Sequence, residues 1–216
     1  GPLALMAMMF ATAVSIPLGI YAARHRNRSG DTAVMMFTQA GLAIPEFWLG
    51  ILLILVFSVQ WRFFPAGGFP GWTEDFWGSL TSLALPAFAL GSIRAAILTR
   101  VTRSSMLEIL KEEYVRTARA KGLTERTVIY VHALKNALIP VVTILGPSLA
   151  NLVTGSFIIE TMFSFPGIGR EYVTAISNRD YSMILGSTLV YAVLVALANL
   201  SVDLTYGLLD PRIRVQ

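Results

Sequence analysis

The chain has no cysteine among its 216 residues, which excludes a disulfide framework, a thiolate metal site and a cysteine nucleophile. It has two histidines, His25 and His132, too few for a histidine-rich metal centre. Charge is scarce: 14% of residues are Asp, Glu, Lys or Arg, where soluble domains carry about 25%. No Gly-Lys-Ser/Thr phosphate loop follows any glycine-rich stretch, so the chain itself is not expected to bind and hydrolyse a nucleotide. What is abundant is apolar: 55% of residues are hydrophobic and the mean hydropathy is +0.63. A chain with so little polar surface takes the bilayer as its solvent. The net charge of +4 raises nucleic acid as a partner, but the placement of the charges along the chain accounts for it instead, and no nucleic acid is expected.

Crossing about 30 Å of hydrocarbon takes roughly 20 apolar residues in a helix. Five stretches qualify: residues 2–23, 32–59, 77–99, 136–159 and 181–206. Each is expected to be helical, because an isolated strand leaves backbone groups unpaired in lipid. The predicted fold class is therefore all-α, a polytopic transmembrane bundle forming one domain over residues 1–216. The first connection carries Arg24, Arg26 and Arg28, and the tail carries Arg212 and Arg214. The third connection carries Arg100, Arg103, Lys111, Arg116, Arg119, Lys121, Arg126 and Lys135. The second has only Arg62, and the fourth only Arg170 and Arg179. Lys and Arg favour the cytoplasmic side, so the first and third connections and the C-terminus are expected there. Trp61, Trp72 and Trp77 then fit an outer interfacial belt. Five spans ending in the cytoplasm start outside, which predicts a further span before residue 1.

Residues 105–135 form a charged, helix-prone loop in an otherwise apolar protein. Ser105 and Glu108 have the spacing of a capping box, and no Pro or Gly interrupts the run to Lys121, which predicts a helix from residue 105. Leu107, Leu110, Tyr114 and Ala118 fall on one stripe of it. Gly122 stands where a helix ends in a positive φ. Thr124 can cap a second helix running continuously into the fourth span, with Pro140 a turn inside that span. One reading is an amphipathic helix lying on anionic membrane lipid. The other is a docking helix for a soluble partner, in which Ala118, Ala120 and Gly122 permit close approach and Tyr114 is the anchor.

The segment Arg116-Thr-Ala-Arg-Ala-Lys-Gly122 resembles the loop of permease subunits of ATP-binding-cassette importers. That family's pattern is Glu-Ala-Ala, three residues, Gly, nine residues, Ile, any residue, Leu-Pro. Ala118, Gly122 and Leu134 match; Arg116, Thr117, His132 and Lys135 depart from it. The following His132-Ala-Leu-Lys-Asn-Ala-Leu-Ile-Pro140 is similar to the dipeptide, oligopeptide and nickel branch. So are Glu160-Thr-Met-Phe163-Ser-Phe-Pro166-Gly167-Ile-Gly169 and the ending from Asp203 through Asp210, Pro211 and Ile213. The resemblance implies the type I importer permease fold. It also implies a partner set: a second, homologous permease subunit, two ATP-binding subunits holding ATP and magnesium, and an extracytoplasmic substrate-binding protein. Leu107, Leu110, Tyr114, Arg116, Ala118, Arg119 and Gly122 would form the coupling loop to the ATPase. Phe163, Pro166, Gly167 and Gly169 would lie at an outer gate or binding-protein contact. Short peptides are the expected substrate, with nickel, glutathione or an oligosaccharide as alternatives.

Several polar residues inside the spans carry two readings each. Glu46, in the second span, is a pathway residue or a structural hydrogen bond at a proline kink, since a mid-membrane charge costs about 2.5–3.5 kcal/mol. Arg94 pairs with Glu46 or snorkels to the cytoplasmic end. Pro86 is expected to kink the third span. Asn151 and Glu160 are candidates for the translocation pathway; Thr154 and Ser156 are spaced too loosely to share a face with Asn151. Gly146, Ser148 and Ala150 suit close helix packing. Asp210 is expected to pair with Arg212, and His132 to lie on a helix surface. A membrane-embedded enzyme would need converging nucleophiles or acids, which the scattered Glu46, Glu160 and Asp203 do not provide. A channel would need symmetric oligomers and no ATPase partner.

Overall fold

The computed structural model describes residues 1–155 and 157–209, and no strand occurs among the described residues. Helix α1 (Pro2–Arg24) opens on a proline, whose fixed φ suits the first helical position. After a short turn with Asn27 at φ +59, α2 (Ser29–Ala43) begins. The second span was expected as one helix over residues 32–59; it is instead broken. α2 ends at Ala43, and α3 (Glu46–Leu53) leaves at an angle of 98° before widening into π-type turns over Ile54–Gln60. Pro45 causes the break: it has no N–H to donate, and its ring forces Ile44 into extended backbone at ψ 119.

α4 (Phe76–Ile109) is capped by Asp75, whose Oδ1 accepts from the Gly78 N–H at 2.8 Å. The third span was expected to end at residue 99, but α4 runs on for 34 residues in all. At 1.5 Å per residue that is about 50 Å, well beyond the hydrocarbon thickness. Nothing between residues 100 and 109 stops a helix, and Pro86 sits inside it without ending it. α5 (Glu113–Ala120) follows. The next helix runs through α6 (Glu125–Thr127), π-type turns over Val128–Ala133 and α7 (Leu134–Ala137). It does not continue straight into the span as expected, since α8 (Ile139–Gly155) is bent from it by 48°. α9 (Phe157–Met162), α10 (Ile168–Ser177) and the 29-residue apolar α11 (Tyr181–Leu209) complete the order. The side chains of Ala150, Thr154 and Asp203, and residues Ser156, Asp210, Pro211, Arg212 and Ile213, lie outside the described residues.

α1 and α4 are each long and apolar enough to cross a membrane unbroken, and α2–α3 and the pair bent at Leu138 qualify as bent spans. α1 packs along α4 through glycines: a Cβ at Gly19 would stand 2.5 Å from Thr102 Cβ, and one at Gly91 would stand 2.6 Å from the Ala7 carbonyl oxygen. The two contacts occur in the same order on both helices, so α1 and α4 run parallel, as first and third spans must. A core of Leu3, Ala7, Leu83, Leu90, Leu98 and Ile159 fills the bundle. Near the basic end a second cluster joins Ile20, Ala23, Met106, Ile129, Ala133 and Ala137.

The connections sort by charge as the sequence indicates. The first and third meet at Asp31 and Arg103, whose guanidinium donates Nε to Oδ1 and Nη2 to Oδ2, each at 2.6 Å. The second and fourth meet at the opposite end, where the Gly68 N–H donates to the Phe163 carbonyl at 2.9 Å.

Candidate functional site

At the basic end, the chain leaves α4 through Leu110–Glu112 and forms α5 as an outlying helix of eight residues. Val115 and Ala118 face inward and are buried with Val128, against Ile109 and Leu110. Ile109 and Leu110 also pack on the cluster of Ile20, Met106 and Ile129. α5 is thus joined to the ends of α1 and α4 through one shared pair of side chains. Arg119 fixes its C-terminal end. Its Nη2 and Nε donate to the Glu125 carboxylate at 2.9 and 3.1 Å, and its Nη1 donates to the Leu110 carbonyl at 3.3 Å. The Arg119 guanidinium holds the Glu125 carboxyl below the usual carboxylate range. Gly122 adopts φ +77 with nothing within 4 Å of a Cβ built there, so its glycine requirement is conformational. Thr124 caps the next helix, its Oγ1 accepting from the Thr127 N–H at 3.4 Å.

Two expectations fail here. The helix does not begin at residue 105: Ser105 is buried in the last turns of α4, whose helical bonding leaves it no orphan N–H to cap, and the new helix starts after Glu112. The stripe of Leu107, Leu110, Tyr114 and Ala118 is also not one exposed face. Leu107 and Leu110 pack on the chain's own core, and Ala118 is buried, so its small size admits Val128 rather than a partner. The exposed face of α5 is Glu113, Arg116, Thr117 and Ala120, continued by Lys121, Gly122 and Leu123. Tyr114 stands at its edge, 40% exposed, its hydroxyl accepting from Asn136 Nδ2 at 2.8 Å. Arg116 holds Glu113 at 2.6 Å in the open. Val115, the most buried side chain of the helix, carries no motif signal and was missed.

At the opposite end, Glu160 lies on α9. It is buried, and its Oε2 accepts from the Gly169 N–H at 2.9 Å. Its carboxylate lies where any Cβ at Gly167 would go. The loop between α9 and α10 therefore wraps a carboxylate, with Ser164 at φ +50. Phe163, expected at an outer contact, is 2% exposed and belongs to the main core. Pro166 is exposed on the outer surface of the loop, with Gly167 half-buried and Gly169 buried behind it. A cavity of about 260 Å³ lies beside Glu160, between Phe69, Trp72, Phe165 and Tyr191.

Within the bundle, Asn151 is exposed on α8. Glu46 occupies the first turn of α3, immediately after the break at Pro45, and is half-buried. Arg94 is half-buried on α4. The end of α4 does not lie close to it, since the helix continues another fifteen residues to Ile109. Among the described residues no group of three or more His, Asp or Glu could hold a metal.

The described residues thus form a bundle of apolar helices with an outlying charged helix between its third and fourth spans. The sequence places it more narrowly: the family described as binding-protein-dependent transport system inner membrane component matches residues 15–215. The chain belongs to that family, and is a multi-pass inner-membrane component of a transport system. It is 43% identical over 235 residues to a dipeptide transport system permease protein of Escherichia coli, covering 98% of this chain and 69% of the relative. It is 43% identical over 234 residues to a di/tripeptide transport system permease protein of Pseudomonas aeruginosa, covering 99% and 70%. Against an oligopeptide transport system permease protein of Bacillus subtilis the identity is 41% over 213 residues, covering 98% and 67%.

Proposed function

We propose that this chain is a permease subunit of an ATP-driven importer of short peptides, working by alternating access. Residues 1–216 act as a single permease domain, with residues 105–135 as its coupling loop and the C-terminus in the cytoplasm. The partners are a homologous permease, two ATP-binding subunits that carry ATP and magnesium, and an extracytoplasmic binding protein.

The observation that carries the coupling role is α5. Its polar face of Glu113, Arg116 and Thr117 is exposed, while Val115 and Ala118 lock its other face onto Ile109 and Leu110. A force on the exposed face reaches α4 and α1 through those two side chains. The peptide specificity is supported by three relatives at 41–43% identity, which are permeases for dipeptides, di- and tripeptides, and oligopeptides.

Purification from native membranes in mild detergent, with mass spectrometry, tests the assembly. A second permease and ATP-binding subunits should accompany the chain, and the reconstituted complex should accumulate dipeptides only with ATP. Recovery of the chain alone or as a symmetric homo-oligomer contradicts the reading.

A further inference from the structure

The end opposite the basic loops holds a cavity that the proposed coupling leaves without a use. Its volume is about 260 Å³, and three separate parts of the chain wall it: Phe69 and Trp72 from the second connection, Glu160 and Phe165 from α9 and the loop after it, and Tyr191 from α11. The rings hold one another in place. Phe69 meets Phe165 edge to face at 4.9 Å between centroids and Trp72 at 5.4 Å, and Tyr191 meets Tyr172 of α10 at 6.1 Å. The Gly68 N–H, donating to the Phe163 carbonyl at 2.9 Å, ties the second connection to the Glu160 loop. The cavity is therefore built before any ligand arrives, which lowers the ordering cost of binding. Trp72 is 39% exposed and Glu160 6%, so the space runs from an accessible ring down to a buried carboxylate.

That carboxylate decides what the space can take. Among the described residues that line the cavity, Glu160 has the only charged side chain. An anion is repelled by it, and a neutral apolar group would cover it with atoms that cannot hydrogen-bond, which is costly. A cation suits both components. A carboxylate offers about four acceptor positions, more than the Gly169 N–H occupies, and aromatic faces attract positive charge. Among the described residues no group of acids or histidines stands ready to hold a metal ion, so the cation is organic. The volume lies below the about 300–1,000 Å³ of pockets that enclose a whole drug-sized molecule. One end of a ligand enters, and the rest stays outside.

We propose that this cavity receives an ammonium end group, Glu160 pairing with the charge and Phe69, Trp72, Phe165 and Tyr191 surrounding it. The inference rests on the peptide-import reading and deepens it: the end group is the free N-terminus of a peptide. The peptide's carboxylate is not read, because no described basic side chain lines the cavity. Such a site admits peptides of many lengths and sequences provided that the amine is uncapped. The ethanolamine headgroup of a membrane lipid carries the same ammonium and is the other source.

The test is saturation-transfer NMR of alanyl-alanine on the protein purified with its accompanying subunits and without the binding protein, which reports the ligand protons that touch protein. The N-terminal methyl should be saturated more strongly than the C-terminal one. N-acetyl-alanyl-alanine should bind about tenfold or more weakly, the loss of one charge-assisted bond, and alanyl-alanine amide as well as the dipeptide. Glu160→Gln keeps an oxygen for the Gly169 N–H but removes the charge, and should abolish the acetyl penalty. Trp72→Leu should weaken the dipeptide about threefold or more, with Trp72→Phe restoring part. Elution like the wild type shows that the variants fold, and if Glu160→Gln does not, the Trp72 pair decides. Equal saturation of the two methyls, an acetyl cap without effect, a penalty that survives Glu160→Gln, or full binding by Trp72→Leu overturns the site. ATP-dependent uptake by the wild type separates the two readings: uptake without an acetyl penalty overturns the site alone, and a penalty without uptake overturns import alone. Phosphatidylethanolamine retained by the wild type and lost from Glu160→Gln, with no dipeptide signal, gives the site to a headgroup and overturns the peptide assignment.

Discussion

Two loops of this molecule each follow an apolar helix and each depend on glycine, but for opposite reasons. Gly122, at the basic end, has a backbone that only glycine adopts easily, and open space around it. Gly167 and Gly169, at the other end, have their space taken by the Glu160 carboxylate. The first loop carries a helix whose outer face is polar and unburied, held by exposed ion pairs; the second is closed around a buried charge. An exposed polar face can engage and release a partner repeatedly, because little apolar area must be re-wetted each time. A loop built around a buried carboxylate cannot open without exposing it, so it keeps one shape. On the proposed function, the basic end is the part that is pushed and the far loop the part that stays.

The sharpest way to break that comparison is to crowd each loop. Gly167→Val drives a side chain into the Glu160 carboxylate, and Gly67→Val sets a Cβ 2.6 Å from the Phe163 carbonyl oxygen. Each should cost about 3 kcal/mol or more, seen as loss of folded protein in fluorescence size-exclusion chromatography. Gly122→Val meets no neighbour and should cost only the about 1–2 kcal/mol of left-handed backbone. It should insert and assemble but hydrolyse ATP without transport, and normal uptake would reject the hinge.

Asp31→Asn comes next. Asp31 and Arg103 retain 6% and 23% side-chain exposure, so the loss should be about 2 kcal/mol, below that for a fully buried pair, read as a lower thermal midpoint in detergent. Ala118→Leu overfills the pocket shared with Val115 and Val128 and should cost about 1–3 kcal/mol. Its effect should concentrate on ATPase coupling, measured as the stimulation of hydrolysis by substrate. Smallest in stability is the pair of Arg119 and Glu125. Its carboxyl titrates below its unfolded value, so its contribution is complete at pH 7 and is lost only as acidification passes through the lowered folded-state pKa. With Glu125 half exposed, Glu125→Gln should change stability by less than about 1 kcal/mol at neutral pH, and should flatten the acid limb of a stability profile.

Hydropathy made the spans legible, because the bilayer imposes a length that a sequence must show. Lys and Arg placement made the grouping of the loops legible, and the Asp31–Arg103 contact reproduces it in space. Gly122 and Thr124 were readable because each satisfies a local rule of helix ends. The ends of α4 and α5 were not. Ser105 and Glu108 have the spacing of a cap, but a cap matters only where a helix begins, and helix-forming residues carried α4 past them. Pro45 sits in the sequence as a visible helix breaker, but the 98° turn depends on how α3 packs against α4, which no local pattern states. Val115 and Asp31 were missed because burial and ion pairing are set by residues far along the chain. Glu160 was legible as a candidate pathway acid just past the fourth span, yet its surroundings depend on the loop nine residues later turning back to donate an N–H.

In the proposed assembly the exposed face of α5 meets a soluble ATP-binding subunit. The chain has no cysteine, so a single substitution gives it one thiol, read on this chain's own band after electrophoresis. The measurement is the rate of maleimide labelling of Arg116→Cys in the purified complex, and again after the ATP-binding subunits are stripped. Labelling should be slow in the complex and at least tenfold faster once the subunits are gone. Pro166→Cys, at the opposite end, should label alike in both. Equal rates at Arg116→Cys before and after stripping would contradict the account.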